Sequence, residues 1–215
     1  MKEMDYSSYR WFFTSKNNLV FGGKNEQQNE ELVKKFIGKG NMILHTEEPG
    51  SPFCIFAEDK IIDKKEIQEA AIFCASFSQQ WKLHKKMAEV NIFYGLDVTK
   101  KRNMPVGTFG VVDFKTIKVE LKLIIMMQKN LKSQLKIRAV PLDCYHEKVI
   151  EEFNNKYEKK IEKKERKIPK IILTPGKMEK NKTALLIKDR FKEYGLDLNL
   201  EDILQAIPAG GFNIT

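Results

Sequence analysis

Alternation of apolar and charged residues over positions 116–122 is the feature that most limits the folds open to this chain. Ile117, Val119 and Leu121 alternate with two lysines and a glutamate, which is the two-residue period of a β-strand with one buried and one solvated face. Antiparallel sheets contain such strands, whereas the strands of parallel sheets are covered on both faces. Two further apolar segments, YRWFFTS and NNLVFGG, flank a short polar turn near the N-terminus and predict a β-hairpin.

Two helices are indicated by capping signals that precede apolar residues at helical spacing. Asn25 followed by Gln28 predicts a helix from about residue 25 to residue 37, and Asp63 followed by Glu66 predicts a second one. The second helix has apolar residues at positions 67, 70, 71, 74, 77 and 81, and we expect it to pack on the sheet. The sequence therefore predicts an α+β fold with a mixed, mainly antiparallel sheet and one or two packed helices.

The composition changes after residue 143. The segment HEKVIEEFNNKYEKKIEKKERK predicts a highly charged helix, and NKTALLIKDRFKEYG and NLEDILQAI predict two shorter helices. We therefore expect an α+β domain over residues 1–143, followed over residues 144–215 by the charged helix and a small, partly helical C-terminal α/β appendage.

The charge balance indicates the class of partner. Lysine and arginine outnumber aspartate and glutamate by 38 to 29, which gives a net charge of +9 and favours polyanions. No apolar run approaches the roughly 18–20 residues of a membrane span, so we expect nucleic acid and not a membrane as the partner. Cys54, Cys74 and Cys144 are widely spaced and odd in number, which fits a reducing, cytoplasmic compartment.

The segment FGGKNEQQNEEL combines a glycine pair, a lysine and a helix start. Lys24 is not followed by serine or threonine, and no G-x-G-x-x-G is present, so neither a nucleotide-hydrolysing loop nor a dinucleotide site is expected. A helix start with a lysine in front of it can bind an anion, and the amides of Gln28 and Asn29 could contact phosphate, ribose or base edges. The alternative is an ordinary helix with a good cap and an exposed polar turn.

His45 ends an apolar segment and precedes Glu47 and Glu48. A histidine with two acids is typical of metal sites and of acid–base pairs. The other histidines share no motif spacing with it, so a structural histidine or one that contacts nucleic acid is the preferred interpretation.

A basic loop is predicted between two strands at Lys100, Lys101 and Arg102. Such a loop could follow a phosphate backbone, or it could be an ordinary charged loop in solvent.

Six motifs, taken in order, resemble one known family: YRWFFTS, LVFGGKNEQQNEELVKKF, MILHTEEPGSPFCIF, EAAIFCASFSQQWK, DVTKK and GTFGV. Over about residues 9–123 the chain is similar to the NFACT-R domain, the RNA-binding domain of the NFACT proteins, which include ribosome quality-control factors. The resemblance places a polar, nucleic-acid-binding cluster at Arg10, Lys24, Asn25, Gln28, Asn29, His45 and Lys100, to which Lys101 and Arg102 add charge. Lys24-Asn25 stands where the family has Arg-Asp, and lysine lacks the bidentate geometry of arginine.

The resemblance implies a non-catalytic RNA-binding protein that needs no cofactor and no metal. Its expected partners are tRNA or ribosomal RNA, together with proteins of ribosome-associated quality control or RNA modification, and DNA stays open as a partner. The chain is expected to be a stand-alone form of the domain. Two alternatives remain: a nucleic-acid-processing enzyme that uses His45 with Glu47 or Glu48, and a protein-interaction adaptor with an exposed apolar face around Leu185, Leu186 and Phe191.

Overall fold

A computed structural model of the chain describes residues 6–130, 132–145 and 169–215. In chain order, the strands are β1 (Arg10–Phe13), β2 (Leu19–Gly22), β3 (Met42–Thr46), β4 (Cys54–Phe56), β5 (Met87–Tyr94), β6 (Val98–Thr99), β7 (Gly110–Val111), β8 (Lys115–Glu120), β9 (Leu123–Lys129), β10 (Leu135–Pro141), β11 (Ile172–Met178) and β12 (Phe212–Ile214). The α-helices are α1 (Glu26–Lys34), α2 (Lys64–Ser76), α3 (Gln79–Lys82), α4 (Lys180–Glu193) and α5 (Leu200–Ala206). Antiparallel sheets with packed helices confirm the predicted α+β class.

The first sheet has six strands in the order β1-β2-β4-β3-β5-β8, and each neighbouring pair is antiparallel. Consecutive residues of its strands point to opposite faces, so Trp11 and Phe12 in β1, like Ile43 and Leu44 in β3, belong to different core clusters. Helix α1 covers the face that carries Trp11 and Ile43, and helix α2 covers the other face. The solvated face that the alternating segment predicted is found at the edge strand β8, whose charged residues are exposed.

The second sheet has four strands in the order β10-β9-β11-β12. Helix α2 lies between the two sheets, because it contacts β3, β5 and β8 of the first and β9 and β10 of the second. Phe73 of α2 shares one core cluster with Ile125 of β9 and Ile137 of β10. Helices α5 and α4 pack on β10 and β12 respectively.

The C-terminal tail closes this core over a tryptophan. Residues 212–214 form strand β12, which pairs with β11, although the sequence had suggested no role for this glycine-rich segment. The indole Nε1 of Trp81 donates a hydrogen bond of 3.0 Å to the carbonyl oxygen of Gly211. The ring of Phe212 lies 5.6 Å from the ring of Trp81, and both side chains are fully buried.

Strands from both sides of residue 143 share the second sheet, since β9 pairs with β10 and also with β11. The division into residues 1–143 and 144–215 therefore stays a prediction, and the two segments have one continuous core cluster. The charged helix predicted over 146–167 lies outside the described residues. Within the described residues, no helix is long and apolar enough to cross a lipid bilayer.

Several observed elements are shorter than the predicted ones. Helix α2 stops at Ser76 and does not reach Trp81, because the hydroxyl of Ser78 accepts a hydrogen bond from the backbone N–H of Gln80 and starts α3. Helix α1 ends at Lys34, three residues earlier than expected. The strand indicated by the alternation over residues 116–122 ends at Glu120, and the chain leaves the first sheet at 121–122 to enter the second. The segment GTFGVVD contains only the two-residue strand Gly110–Val111.

Candidate nucleic-acid interface

The start of helix α1 is capped as the sequence predicted. The side-chain oxygen of Asn25 accepts a hydrogen bond of 2.9 Å from the backbone N–H of Gln28. The side-chain oxygen of Gln28 accepts one of 2.9 Å from the backbone N–H of Lys24, and not from Asn25 as the usual capping box would have it. Two polar groups expected to bind nucleic acid therefore also hold the helix start, while Lys24 is an exposed residue.

Asn29 serves the interior of the protein. It is 8% exposed, its amide nitrogen donates to the carbonyl of Ser51 at 3.3 Å, and its amide oxygen accepts from the backbone N–H of Phe53 at 3.2 Å. A Cβ atom at Gly23 would overlap that oxygen, which explains why the residue before Lys24 has no side chain. Asn29 therefore attaches helix α1 to the segment that leads into strand β4, and its amide group is used on both its nitrogen and its oxygen side.

His45 forms part of the wall of a groove. Its ring stacks on Phe53, with a centroid distance of 4.3 Å and an interplanar angle of 29°. Burial lowers the pKa of His45 to about 4, although a backbone hydrogen bond at Thr46 opposes the shift. The ring is therefore neutral at pH 7 and presents an aromatic surface, not a charge.

The groove has a volume of about 350 Å³ and lies between helix α1, strands β3 and β5 and the loop that precedes β7. Its aromatic lining residues are His45, Phe53, Phe93, Phe109 and Phe114. Glu26, Asn29, Glu47 and Asn91 are among its polar lining residues. Val106 and Phe114 line it while 54% and 50% exposed, so a flat apolar group could enter from solvent and stack on these residues.

Lys100 anchors the loop that forms one wall of this groove. Its ammonium group donates hydrogen bonds to Glu30 at 2.7 Å and to the carbonyls of Pro105 and Thr108 at 2.8 and 3.0 Å, and it lies 4.8 Å from the ring centre of Phe109. A fully satisfied ammonium that is 16% exposed is not available to a phosphate. The sequence cannot reveal this role, because Glu30 is 70 residues away.

Glu30 receives three donors and holds the loop from the helix side. Desolvation would raise the pKa of its carboxyl group, but hydrogen bonds from Lys100, Lys34 and the backbone N–H of Gly107 outweigh this effect and hold the pKa at about 2. The two residues that follow Lys100, Lys101 and Arg102, are exposed at the tip of the same loop. Within the described residues neither of them forms an ion pair.

Arg10 and Lys24 lie elsewhere, beside a small cavity of about 50 Å³. The guanidinium carbon of Arg10 is 4.6 Å from the ring centre of Phe77, and burial lowers its pKa. The cavity is also lined by Arg138 of strand β10, which the sequence analysis did not select. An arginine in an otherwise largely apolar strand was the signal that could have identified it. The predicted cluster is therefore divided: Asn29 and His45 line the groove, while Arg10 and Lys24 line the cavity.

The residues named by the enzyme and adaptor hypotheses have the following surroundings in the structure. The carboxylate of Glu48 accepts hydrogen bonds from Gln80 at 2.6 Å and Lys85 at 2.8 Å, and a neighbouring carboxylate, that of Glu89, raises the pKa of Glu47. Among the described residues, no three His, Cys, Asp or Glu side chains are grouped so as to hold a metal ion. The apolar face of the adaptor hypothesis is incomplete, since Leu185 and Leu186 are exposed but Phe191 is fully buried.

Comparison with known proteins identifies residues 8–113 as a match to the family described as "NFACT protein RNA binding domain". The archaeal Rqc2 homolog aRqcH of Methanocaldococcus jannaschii is 25% identical over 218 aligned positions, which cover 97% of this chain and 29% of the relative. The ribosome quality control complex subunit NEMF of Homo sapiens is 28% identical over 78 residues, which cover 35% of this chain and 7% of the relative. The C-terminal part of the fibronectin/fibrinogen-binding protein of Streptococcus suis is a structural match with a TM-score of 0.49 and 20% identity, covering 56% of this chain and 48% of that one.

These matches set the extent of the similarity. The chain spans less than a third of the length of its archaeal relative. The alignment with that relative covers nearly the whole chain, including the segment after residue 143 for which the sequence motifs gave no match.

Proposed function

We propose that this chain, whose residues 8–113 belong to the NFACT RNA-binding domain family, binds unpaired segments of RNA in the groove beside His45 and is a non-catalytic component of ribosome-associated quality control. The observation that carries the proposal is the groove itself: an aromatic wall that is open to solvent, next to a loop whose two exposed cations, Lys101 and Arg102, form no ion pair with any described residue. The proposed RNA is tRNA or ribosomal RNA, and the proposed site of action is the cytoplasm.

The aromatic wall supports stacking as the source of affinity. His45 is neutral and already stacked on Phe53, so it offers an uncharged aromatic ring to a base. Phe114 and Val106 are 50% and 54% exposed, so half of each side chain stays uncovered by the described part of the chain. Stacking of an unpaired base on an aromatic side chain contributes about 1–3 kcal/mol and tolerates any base, and single-stranded segments are what most RNA-binding modules recognise this way.

The charges around the groove favour bases inside it and phosphates outside it. Glu26 and Glu47 line the groove and would repel a phosphate inside it, whereas Lys101 and Arg102 project from the loop tip into solvent. We therefore expect bases to enter the groove while the backbone passes the loop tip. Each neutralised phosphate of a single strand changes the slope of log K against log salt by about 0.7.

The names of the relatives support the proposed setting. The archaeal relative is named as a homolog of Rqc2, and NEMF as a subunit of the ribosome quality control complex. Because this chain spans only part of either protein, their setting is transferred to it here as part of the proposal.

Fluorescence anisotropy with a labelled single-stranded RNA and with tRNA tests the proposal. Phe114→Ala removes an exposed wall residue, and Val112→Ala is the matched control, because Val112 is 79% exposed, lies two residues away and does not line the groove. We expect Phe114→Ala to weaken binding about 5- to 150-fold, the equivalent of one stacked base, and Val112→Ala to bind as the wild type does.

A salt titration separates the electrostatic part. Replacing both Lys101 and Arg102 by alanine should reduce the salt slope by about 1.4, which corresponds to two phosphates. Equal affinities of the Phe114 and Val112 variants would contradict the groove as the binding site. Wild-type affinity that does not change between low and physiological salt would contradict RNA binding altogether, and a DNA strand of the same sequence measures the preference for RNA.

A further inference from the structure

Four cations from distant parts of the chain converge where strand β1 meets the second sheet. Arg10 of β1, Lys24 before helix α1 and Arg138 of β10 line the 50 Å³ cavity, and Lys180 at the first turn of α4 is close enough to Arg10 to feel its charge. We refer to these four residues as the cationic seam. Arg138 and Lys180 lie outside residues 8–113, so the seam combines the family domain with the rest of the chain.

Aromatic rings hold both guanidinium groups of the seam in place. The guanidinium carbon of Arg138 is 3.9 Å from the ring centre of Trp11, and that of Arg10 is 4.6 Å from the ring centre of Phe77. A guanidinium that stacks on a ring keeps its donors in the plane of the group, where they can reach a bound oxyanion. Arg138 uses one Nη atom on the carbonyl of Ile137, while its buried Nε has no hydrogen-bond partner in the described parts of the chain.

The cations of the seam lie close together without direct carboxylate partners among the described residues. In the part of the chain that the structure describes, none of the four cations forms an ion pair with a carboxylate. The pKa of Lys24 is lowered mainly by burial and further by the charges of Arg10 and Arg138. The pKa of Lys180 is lowered mainly by burial and further by the charge of Arg10.

Two carboxylates lie within electrostatic range of the seam. Asp202 acts on Arg138, and Glu201 acts on Lys180. Neither makes an ion pair with a seam residue, and Asp202 pairs instead with Lys136 at 3.8 Å. Converging cations with orphaned donors around a cavity are suited to a polyoxyanion.

We infer that the cationic seam binds one phosphate group, with Arg10, Lys24 and Arg138 as its donors and Lys180 as a further charge. The inference rests on the proposed function in one respect: the phosphate is a backbone phosphate of the bound RNA. A free phosphate ion offers the same chemistry, and the two sources are separated by the two measurements below. Residues beyond the family domain then take part directly in RNA binding.

Thermal unfolding in inorganic phosphate and in chloride of equal ionic strength measures the site without RNA. A ligand that binds the folded state raises Tm with the logarithm of its concentration. We expect this rise for the wild type and for Lys136→Gln, but not for Arg138→Gln. Lys136→Gln is the matched control, since it removes one positive charge from the same strand, two residues from Arg138, at a side chain that is 38% exposed. Lys24→Gln is the second test variant, because Lys24 is exposed and its loss cannot disturb the core in the way that loss of Arg138 from Trp11 could.

RNA affinity of the same variants then identifies the source of the phosphate. We expect Lys24→Gln and Arg138→Gln to bind RNA roughly tenfold more weakly than Lys136→Gln, the equivalent of one charge-assisted hydrogen bond. If RNA binds the wild type and all three variants alike and phosphate stabilises none of them, the seam is not an anion site and the groove proposal stands. A second outcome is that the wild type binds no RNA, and that phosphate stabilises the wild type and Lys136→Gln but not Lys24→Gln. In that case the RNA proposal fails and the seam is a site for small phosphate compounds. Phosphate stabilisation that is equal in all four proteins, with equal RNA binding, would overturn the inference.

Discussion

Lys100→Met should release the loop over residues 101–109 from helix α1 while the rest of the fold stays intact. Methionine keeps the unbranched apolar stem but removes the ammonium group, which donates to Glu30 at 2.7 Å and to the carbonyls of Pro105 and Thr108 at 2.8 and 3.0 Å. These contacts fasten the segment that leads into strand β7 of the short β6–β7 ribbon. The substitution therefore isolates the contribution of one side chain to the shape of the groove.

The structure sets the size of the effect between two limits. Both side chains of the Lys100–Glu30 pair are largely buried, at 16% and 12% exposure, so the pair exceeds the about 0–1 kcal/mol of a surface ion pair. Glu30 keeps its hydrogen bonds from Lys34 at 2.8 Å and from the N–H of Gly107 at 2.9 Å, so the loss stays below the about 3–5 kcal/mol of a buried charge left without a partner. We expect the loop to lose about 1.5–3 kcal/mol, the contribution of a charge-assisted hydrogen bond.

Amide hydrogen exchange resolves this loss at the loop. The N–H of Gly107 donates to Glu30 and the N–H of Thr108 donates to the carbonyl of Pro105, so both should exchange about 10- to 160-fold faster in Lys100→Met. Lys101→Met removes the same charge from the adjacent, exposed position and should leave both rates unchanged. Unchanged exchange at Gly107 in Lys100→Met would refute the role of Lys100, and equal acceleration of the strand amides would show that Lys100 supports the whole domain and not the loop.

Three further predictions concern stability. The pKa of His45 is about 4 in the folded protein and about 6.5 in the unfolded chain, so the unfolded state binds the extra proton and stability rises with pH between these values. In urea titrations, the free energy of unfolding of His45→Gln should therefore fall by about 1–2 kcal/mol less than that of the wild type when the pH is lowered from 7 to 5. Parallel pH profiles of the two proteins would disprove a buried neutral ring. Asn29→Ala leaves the N–H of Phe53 without its acceptor and should cost about 2–3 kcal/mol in urea unfolding; a loss under 0.5 kcal/mol, on the order of an ordinary surface substitution, would mean that water replaces the amide. Gln128→Leu removes both side-chain hydrogen bonds to the backbone of Phe13 in the edge strand β1, at 2.9 and 2.7 Å, and should lower the free energy of unfolding by about 1–2 kcal/mol. Gln128→Glu keeps only the acceptor. In thermal unfolding its stability should lie between that of Gln128→Leu and that of the wild type.

Features that depend on neighbouring residues were predictable from the sequence. The cap of helix α1 at Asn25 and that of α2 at Asp63 are formed by contacts over two or three residues, so capping rules find them. The hairpin of β1 and β2 is equally local and was confirmed. His45, which the family resemblance selected as a site residue, does line a groove. Its neutral, stacked state could not be predicted, because it results from burial in the folded protein.

Features that depend on distant residues were not predictable. Lys100 and Lys101 are adjacent lysines in the sequence, and only the fold brings Glu30 to the first of them. Arg138 became recognisable when strand β10 was placed against Trp11. Strand β12 has too few residues and too many glycines before it to be identified alone, and it exists because β11 supplies its hydrogen-bond partners.

The contact of Trp81 with Gly211 has a consequence for the order of synthesis. The two residues are 130 positions apart, and at roughly 5–20 residues per second a ribosome needs about 7–26 s to travel from one codon to the other. Throughout that interval the indole has neither the carbonyl of Gly211 nor the ring of Phe212 above it, so the nascent chain exposes apolar surface that the finished protein hides. Translation speed and chaperone access over this stretch should therefore affect the yield of folded protein more than its final stability.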